Sequence, residues 1–289
     1  MTNPTITGRE LSEVCALIEQ RSGILFDDSR ERFFSIRIRE YMSSRGLQHG
    51  AELLRVIGGS NAEYDAMLER MLTQETSFFR YPAAYDILEK RVFPELRAKK
   101  FWDDPRSLRI WSAGCSTGEE PYSIAIALAE TLEFLEAWNI RLLATDISRQ
   151  ALEQAETGLY GRRSFGVGLD RLEKYFTRVG EHYLVKPRIR NMVTFAPLNL
   201  AQTVYLGRFD VIFCMNVMIY FSEERRAALI QRFYDCLEPG GYLFLGHAEF
   251  VSKLPVKFDT IVHHDSIVYQ KPAEASLLRP ASVASEATL

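Results

Sequence analysis

The chain has 289 residues, 47% of them apolar and 25% charged, which is typical of a globular protein with room for a main domain and a smaller one. Its 35 basic and 38 acidic residues leave a net charge of −3, which argues against binding of nucleic acid by bulk charge. No apolar run approaches ~18 residues, no signal core opens the chain and no C-x-x-C pair occurs, so we expect a reduced cytoplasmic protein with no membrane insertion and no metal.

The first 95 residues carry only helical signals. Thr7-Gly-Arg-Glu10 matches a capping box, and apolar residues follow it at helical spacing. Further helices are predicted over about 29–45, 51–57 and 62–73. We therefore predict an all-helical N-terminal domain and linker over residues 1–95.

Strand and helix patterns alternate from Leu108 onward. In chain order the predicted segments are strand 108–113, helix 121–135, strand 140–145, helix 149–156, strand 208–214, helix 223–237, strand 242–246 and an edge strand at 266–270. This alternation predicts an α/β fold with a doubly wound parallel sheet over residues 96–272.

Short strand patterns interrupt the alternation at 175–179, 182–185 and 192–196. We interpret them as a small antiparallel β insertion over about 158–198. The last 17 residues, 273–289, are rich in Ala, Ser, Glu and Thr without periodicity, and we expect a disordered tail.

The turn after the first strand is the strongest signal for a ligand site. It reads Ala113-Gly-Cys-Ser-Thr-Gly118, so small residues, Gly114 among them, let the backbone approach a ligand closely. The order differs from G-x-G-x-x-G, and the following Glu119 and Glu120 would repel a pyrophosphate. They suit a ligand that is cationic or rich in hydroxyls and amines, such as S-adenosylmethionine.

An acid, Asp146, ends the second predicted strand. In doubly wound folds an acid at this place accepts hydrogen bonds from ribose hydroxyls. The alternative is that Asp146 caps the next helix, a role that Ser148 can also fill.

Two further segments carry polar residues near the expected site. Asn216 follows the strand 208–214, at the edge where ligands bind, and Tyr220 comes four residues later. No proline pair follows Asn216, which argues against an amine acceptor. Upstream, two aromatic residues precede Arg80, and the residues alone leave open a plain linker with a solvated arginine.

Six motifs in this order resemble the chemotaxis receptor methyltransferases, the CheR family. The resemblance runs from about residue 10 to 271 and rests on Gln74–Arg80, Trp111–Ser123, Ala144–Ile147, Asn199-Leu200, Cys214–Phe221 and Gly246–Glu249. It implies an S-adenosylmethionine-dependent methyltransferase domain of Rossmann-like fold that methylates glutamate side chains of chemoreceptors.

Motif matching implies the site residues. The cofactor contacts are expected from Gln74, Thr76, Arg80, Gly114, Glu119, Glu120, Asp146, Asn199, Leu200, Asn216 and Val217. Arg80 and Tyr220 are expected nearest the reaction, Arg80 orienting a carboxylate of substrate or cofactor and Tyr220 orienting the acceptor.

The helix predicted over 29–45 offers a basic docking surface. Arg30 and Arg37 share one face, and Arg32 and Arg39 another, because each pair is seven residues apart. The resemblance implies that this helix meets acidic surface around the receptor glutamates. A solvated helix with charges on its rim is the alternative.

The chain departs from the family pattern at several places. Gln74 stands for an asparagine, Met215 for an arginine and Ala248 for a serine. Met215 lies either beside the cofactor or at an outward-facing position. The turn after Val179 is short, whereas family members that bind a peptide tether of the receptor have a longer loop there, so we expect direct recognition without a tether.

Three functions compete at this stage. We predict a monomeric protein-glutamate methyltransferase acting on the cytoplasmic domain of a chemoreceptor. The alternatives are a catalytically weak or inactive cofactor-binding signalling protein, marked by Gln74 and Met215, and a methyltransferase of small-molecule carboxylates. The basic helix and the absence of an apolar lid insertion favour a protein substrate over the last of these.

Overall fold

The computed structural model describes residues 4–26, 31–103, 105–166, 172–203, 206–249, 256–263 and 266–273. Four N-terminal helices are α1 (Gly8–Ser22), α2 (Glu31–Arg45), α3 (Gly50–Gly59) and α4 (Asn61–Met71). The predicted capping box begins α1, because Thr7 Oγ1 accepts from the Glu10 N–H at 3.2 Å and the Glu10 carboxylate accepts from the Thr7 N–H at 2.9 Å. The apolar faces of these helices pack into one core. The predicted disordered tail lies outside the described residues from 274 onward.

A second helical segment connects this bundle to the sheet. Helix α5 (Pro82–Ile87) continues through a π-helical turn (Leu88–Val92) into α6 (Phe93–Lys100). Its apolar residues belong to the core under the sheet rather than to the core of the helical bundle. The helical residues before 95 are therefore divided between two cores.

Ten strands are described in the remainder of the chain. They are β1 (Ser107–Ala113), β2 (Asn139–Asp146), β3 (Leu159–Gly161), β4 (Phe176–Val179), β5 (His182–Val185), β6 (Val193–Pro197), β7 (Phe209–Cys214), β8 (Leu237–Leu245), β9 (Asp259–His263) and β10 (Ser266–Gln270). Between them lie the helices α7 (Glu119–Thr131), α8 (Arg149–Thr157), α9 (Leu172–Tyr175), α10 (Pro187–Arg190) and α11 (Glu223–Cys236).

The main sheet has the strand order β6-β2-β1-β7-β8-β10-β9. The first five strands are parallel and β10 and β9 pair antiparallel, which confirms the predicted doubly wound fold. Every residue of β7 is buried, because helices cover both faces of the sheet. Successive connections leave β1 and β7 in opposite directions, so a crevice opens between their carboxyl ends.

The second sheet is the predicted small antiparallel insertion, with strand order β3-β5-β4. Gly180 and Glu181 alone join β4 to β5, as Val179 pairs with His182. Two predicted strands exist but occupy other positions in the sheets than expected. The strand predicted at 192–196 pairs parallel with β2 in the main sheet, and the strand at 266–270 is covered by β9, which forms the edge. Both errors concern pairing partners, which local sequence patterns do not encode.

Candidate functional site

A cavity of about 410 Å³ lies at the carboxyl ends of β1, β2 and β7, and the helical bundle closes it from the other side. Most of the predicted site residues line it: Gln74, Thr76, Arg80, Gly114, Glu120, Asp146, Asn199, Leu200, Asn216, Val217 and Tyr220. Phe33 of α2 and Met71 of α4 also line it, which the motifs did not indicate. The site is therefore built by both parts of the molecule.

The turn after β1 forms the floor of the cavity. The N–H groups of Gly114 and Cys115 both donate to the Thr145 carbonyl of β2, at 2.7 and 2.9 Å. Gly114 has φ +85°, and a Cβ on it would lie 2.3 Å from Val217 Cγ2. Ser116 Oγ is buried at the cavity wall and finds no hydrogen-bond partner within the described part of the chain. A ligand hydroxyl or amine would satisfy this oxygen.

The Asp146 carboxylate bridges two loops at the cavity. Its two oxygens accept from the N–H groups of Ser116 at 2.8 Å and Ser148 at 2.9 Å. Burial raises the pKa of Asp146, and these two hydrogen bonds oppose the shift. Ser148 is the cap of α8, since its Oγ accepts from the Ala151 N–H. Asp146 is thereby left to face the cavity with its remaining lone pairs.

The two neighbouring acids at the start of α7 have different surroundings. Glu120 lines the cavity and accepts from Ser112 Oγ at 2.7 Å, and burial raises its pKa to about 7. Glu119 does not line the cavity. Its carboxylate accepts from the hydroxyls of Thr117 at 2.7 Å and Ser164 at 2.9 Å, which ties α7 to the segment before the small sheet. The structure therefore places Glu119 away from the cavity, and Glu120 is the acid of the pair that lines it.

A sharp backbone turn carries Arg80 to the cavity. The residues on either side of it, Phe79 and Tyr81, have φ values of +51° and +79°. The Phe79 N–H donates to Ser123 Oγ at 2.9 Å, and the Phe78 ring packs in a buried aromatic cluster. Because this anchoring holds the turn, the Arg80 side chain lines the cavity, and it is not the solvated arginine of a plain linker.

Glu249 supports the loops that line the cavity, a role that the motifs did not indicate. Its buried carboxylate accepts four backbone N–H groups: Gly246 at 2.7 Å, Asn216 at 2.9 Å, Met218 at 2.6 Å and Ile219 at 3.3 Å. Burial raises the pKa of Glu249, and these four donors oppose the shift. The carboxylate thus joins the loops after β7 and β8 and holds Asn216 in its left-handed conformation (φ +63°). The Gly246–Glu249 motif was the available signal.

Asn199 joins the cavity to the helical bundle. Its Nδ2 donates to the Arg21 carbonyl of α1 at 2.9 Å, and its Oδ1 accepts from the Ala201 N–H at 2.8 Å. The adjacent Leu200 is buried against the sheet core. Tyr220 lies at the same junction, where its carbonyl accepts from the Leu25 N–H at 2.8 Å and its ring packs on the helical core.

These side chains fit S-adenosylmethionine. Its ammonium and sulfonium groups are cationic and its ribose offers hydroxyls, which match Glu120, Asp146 and the unpartnered Ser116 Oγ. Its carboxylate matches the guanidinium of Arg80. Within the described residues no three His, Cys, Asp or Glu side chains lie close enough to hold a metal ion.

The family model of the CheR methyltransferase, SAM binding domain, matches residues 74–267. The chain belongs to the CheR family. This match confirms the predicted family and identifies the sheet domain as an S-adenosylmethionine-binding methyltransferase domain. No finding favours the alternative of an inactive protein.

Relatives cover most of the chain. Chemotaxis protein methyltransferase 1 of Pseudomonas aeruginosa is 36% identical over 262 residues, which are 88% of this chain and 94% of that protein. The chemotaxis protein methyltransferase of Vibrio parahaemolyticus is 34% identical over 278 residues, 93% and 99% of the two chains. That of Escherichia coli is 35% identical over 255 residues, 85% of each.

The structure locates two departures from the CheR pattern. Gln74 lines the cavity, and its Nε2 donates to Ser148 Oγ at 3.2 Å, so its amide also braces the loop that carries Asp146. Met215 lines the cavity and packs on the sheet core. Its side chain therefore faces the cavity, and Met215 is not an outward-facing position. The side chain of Ala248 lies outside the description.

Three of the four predicted docking arginines are described. Arg32, Arg37 and Arg39 are exposed on α2, and Arg37 pairs with Glu40 at 3.2 Å. Arg30 lies outside the described residues. Phe33 of the same helix lines the cavity, so α2 connects the basic surface to the cavity mouth.

No described helix is both long and apolar enough to cross a membrane.

Proposed function

We propose that this protein transfers the methyl group of S-adenosylmethionine to glutamate side-chain carboxylates in the cytoplasmic domain of a chemoreceptor. The products are a glutamate methyl ester and S-adenosylhomocysteine. The observation that carries the proposal is the placement of Arg80 in the cavity that also holds Glu120 and Asp146. The two acids suit the ammonium and ribose of the cofactor, and the guanidinium suits a carboxylate.

The chemistry needs no general base. A glutamate carboxylate, with a pKa of about 4.3, is ionised at neutral pH. One of its oxygens bonds to the methyl carbon while the bond from that carbon to sulfur breaks, and the electron pair stays on sulfur, which becomes a neutral thioether. The protein must align oxygen, carbon and sulfur and exclude water. In this proposal Arg80 orients a carboxylate and Tyr220 the acceptor, while His247, whose ring packs 4.8 Å from that of Tyr81, has a structural role.

The cofactor contacts are proposed from the side chains at the cavity. Asp146 would accept from the ribose hydroxyls and Glu120 would pair with the ammonium group. Gln74, Thr76, Gly114, Asn199, Leu200, Asn216 and Val217 would complete the contacts.

Binding of S-adenosylhomocysteine tests the cofactor site. We expect Asp146→Asn to weaken this binding about 10- to 100-fold in calorimetric titration, because a hydrogen bond to a charged group is lost. Glu153→Gln, at an exposed position of the adjoining α8, is the matched control and should bind like the wild type. Equal affinity of the Asp146→Asn protein would contradict the assignment.

Transfer of a labelled methyl group to a receptor cytoplasmic fragment tests the reaction. An ester releases its label as methanol in mild alkali, whereas a methylamine does not. We expect alkali-labile label on the fragment, and none when its glutamates are replaced by glutamine. Alkali-stable label would refute glutamate methylation.

The receptor is proposed to dock on α2 through Arg32, Arg37 and Arg39, and on Arg30, which directly precedes α2 in the sequence. The two-residue turn between β4 and β5 supports recognition without a peptide tether. In this proposal the protein acts as a cytoplasmic monomer.

Charge reversal on α2 tests the docking surface. Arg32→Glu with Arg39→Glu should lower kcat/KM for the receptor fragment about tenfold at low salt, because complementary charge accelerates encounter. The loss should shrink at high salt, where exposed charges are screened. Affinity for S-adenosylhomocysteine should not change. Arg55→Glu, exposed on α3, is the control, and an equal loss in that variant would contradict a specific role of α2.

A further inference from the structure

Two residues in left-handed backbone conformations meet at the cavity wall. The Tyr81 hydroxyl donates to Asn216 Oδ1 at 2.7 Å, although 135 positions separate the two residues. Their φ values are +79° and +63°. Asparagine adopts this region readily, whereas tyrosine does so only where the surrounding structure holds it. The strained conformation of Tyr81 therefore points to a function of its side chain.

The ring of Tyr81 is held from several directions. Pro82 directly follows Tyr81 and is the first residue of α5, which packs against the sheet core. The His247 ring packs against the Tyr81 ring at 4.8 Å, and the Arg80 guanidinium lies 5.4 Å from the ring centre. The position of the Tyr81 hydroxyl is consequently well defined.

The backbone of Asn216 is also held, because its N–H and those of Met218 and Ile219 all donate to Glu249. What remains adjustable is the side-chain amide, whose oxygen and nitrogen ends have nearly the same shape. The Tyr81 hydroxyl donates to Oδ1, so this contact leaves both Nδ2 N–H groups unused. No described residue accepts a hydrogen bond from Asn216 Nδ2, and the side chain lines the cavity.

We propose that Tyr81 is a positioning residue that turns the amide N–H groups of Asn216 toward a ligand carboxylate in the cavity. An amine in the same place would have to share the amide oxygen with the Tyr81 hydroxyl, whereas a carboxylate can accept from the unused N–H groups. The inference rests on the proposed function, which brings two carboxylates to this cavity. One belongs to the amino-acid end of the cofactor and the other to the substrate glutamate.

Tyr81→Phe tests the proposal, because it keeps the ring and removes only the hydroxyl. Affinities are measured for S-adenosylmethionine and for decarboxylated S-adenosylmethionine, which lacks the carboxylate, together with kcat and KM for a receptor fragment. If Asn216 binds the cofactor carboxylate, Tyr81→Phe lowers the affinity for S-adenosylmethionine about five- to tenfold and leaves the affinity for the decarboxylated form unchanged. If it binds the substrate, both affinities stay unchanged and the receptor KM rises by a similar factor.

A second variant makes the result decisive. The aspartate of Asn216→Asp can still accept a hydrogen bond from Tyr81, but it presents an oxygen in place of the N–H groups. This variant should therefore weaken binding of the same ligand as Tyr81→Phe does, and by a larger factor. Tyr183→Phe, half-buried in the small sheet, should match the wild type.

Two results overturn the inference while leaving the proposed function intact. One is a Tyr81→Phe protein that equals an active wild type in every measurement. The other is an equal loss of both cofactor forms, which indicates general damage to the cavity. A wild-type protein that neither binds S-adenosylmethionine nor methylates the fragment would refute the proposed function itself, and this inference with it.

Discussion

Glu120→Gln is expected to remove a pH dependence of stability that the wild-type protein shows between about pH 4.5 and pH 7. Burial raises the pKa of Glu120 to about 7. The hydrogen bond from Ser112 and the charge of Arg80 oppose this shift, and the charge of Glu249 adds to it. A glutamine keeps the shape and the contact with Ser112 but cannot ionise.

The direction of this pH dependence follows from the raised pKa of Glu120 in the folded state. Folding favours the protonated carboxyl, so its stabilising contribution is complete below the ordinary pKa of 4.5 and is lost as the pH rises through 7. The shift corresponds to about 3 kcal/mol of unfolding free energy. Urea unfolding across this pH range should show the wild type losing that amount relative to Glu120→Gln. Parallel pH profiles of the two proteins would contradict the assignment.

The same carboxyl should couple cofactor binding to a proton. If the ammonium of S-adenosylhomocysteine pairs with ionised Glu120, binding below pH 7 releases one proton, and affinity rises about tenfold per pH unit up to about 7. Calorimetry in buffers of different ionisation enthalpy counts this proton. Glu120→Gln should bind more weakly and release none. Release that persists in the variant would assign the proton to another group, such as Asp146.

Gly114→Ala is expected to disrupt the cofactor cavity. The alanine Cβ would lie 2.3 Å from Val217 Cγ2 at a φ of +85°, so the segment that follows Asn216 must shift. A misplacement of reacting groups by about 1 Å can lower a rate on the order of 100-fold. We expect a loss of that size in methyl transfer, with weaker binding of S-adenosylhomocysteine and a lowered melting temperature.

Two controls separate the clash from the backbone strain. Gly46→Ala has a similar φ of +71° with nothing within 4 Å of its Cβ, so it should lower stability by only about 1 kcal/mol and leave ligand affinity unchanged. Adding Val217→Ala to Gly114→Ala removes the colliding methyl groups and should restore part of the affinity. A Gly114→Ala protein with wild-type affinity would show that the turn adapts without cost to the site.

Local patterns predicted the strands that position the site almost to the residue. The β1 and β7 strands are mostly apolar and are followed by polar or small residues, and such segments indicate a buried parallel strand. The segment at 192–196 was correctly predicted as a strand but assigned to the wrong sheet. Alternation of side chains indicates a strand, whereas its partner is chosen by segments far away in the chain.

In the site, too, local sequence predicted some residues, and contacts between distant segments decided the others. Asp146 and Asn216 were found because they lie at the carboxyl ends of predicted strands, and the carboxyl ends of parallel strands meet at one edge. Glu119 and Glu120 could not be told apart, because adjacent helical residues point about 100° apart and the sequence does not reveal which direction the cavity takes. The roles of Glu249 and Tyr81 depend on contacts across 33 and 135 positions.

The sequence alone predicted the order of strands and helices along the chain, the chemical groups at the strand ends and the family. These follow from side-chain periodicity, turn residues and motif spacing, all of which are local. Tertiary structure alone showed that α2 and α4 close the cavity, that Glu120 rather than Glu119 lines it, and that the Tyr81 hydroxyl bonds to the Asn216 amide. Each of these depends on packing between segments distant in the chain, where shape and burial select among partners that the local sequence allows equally.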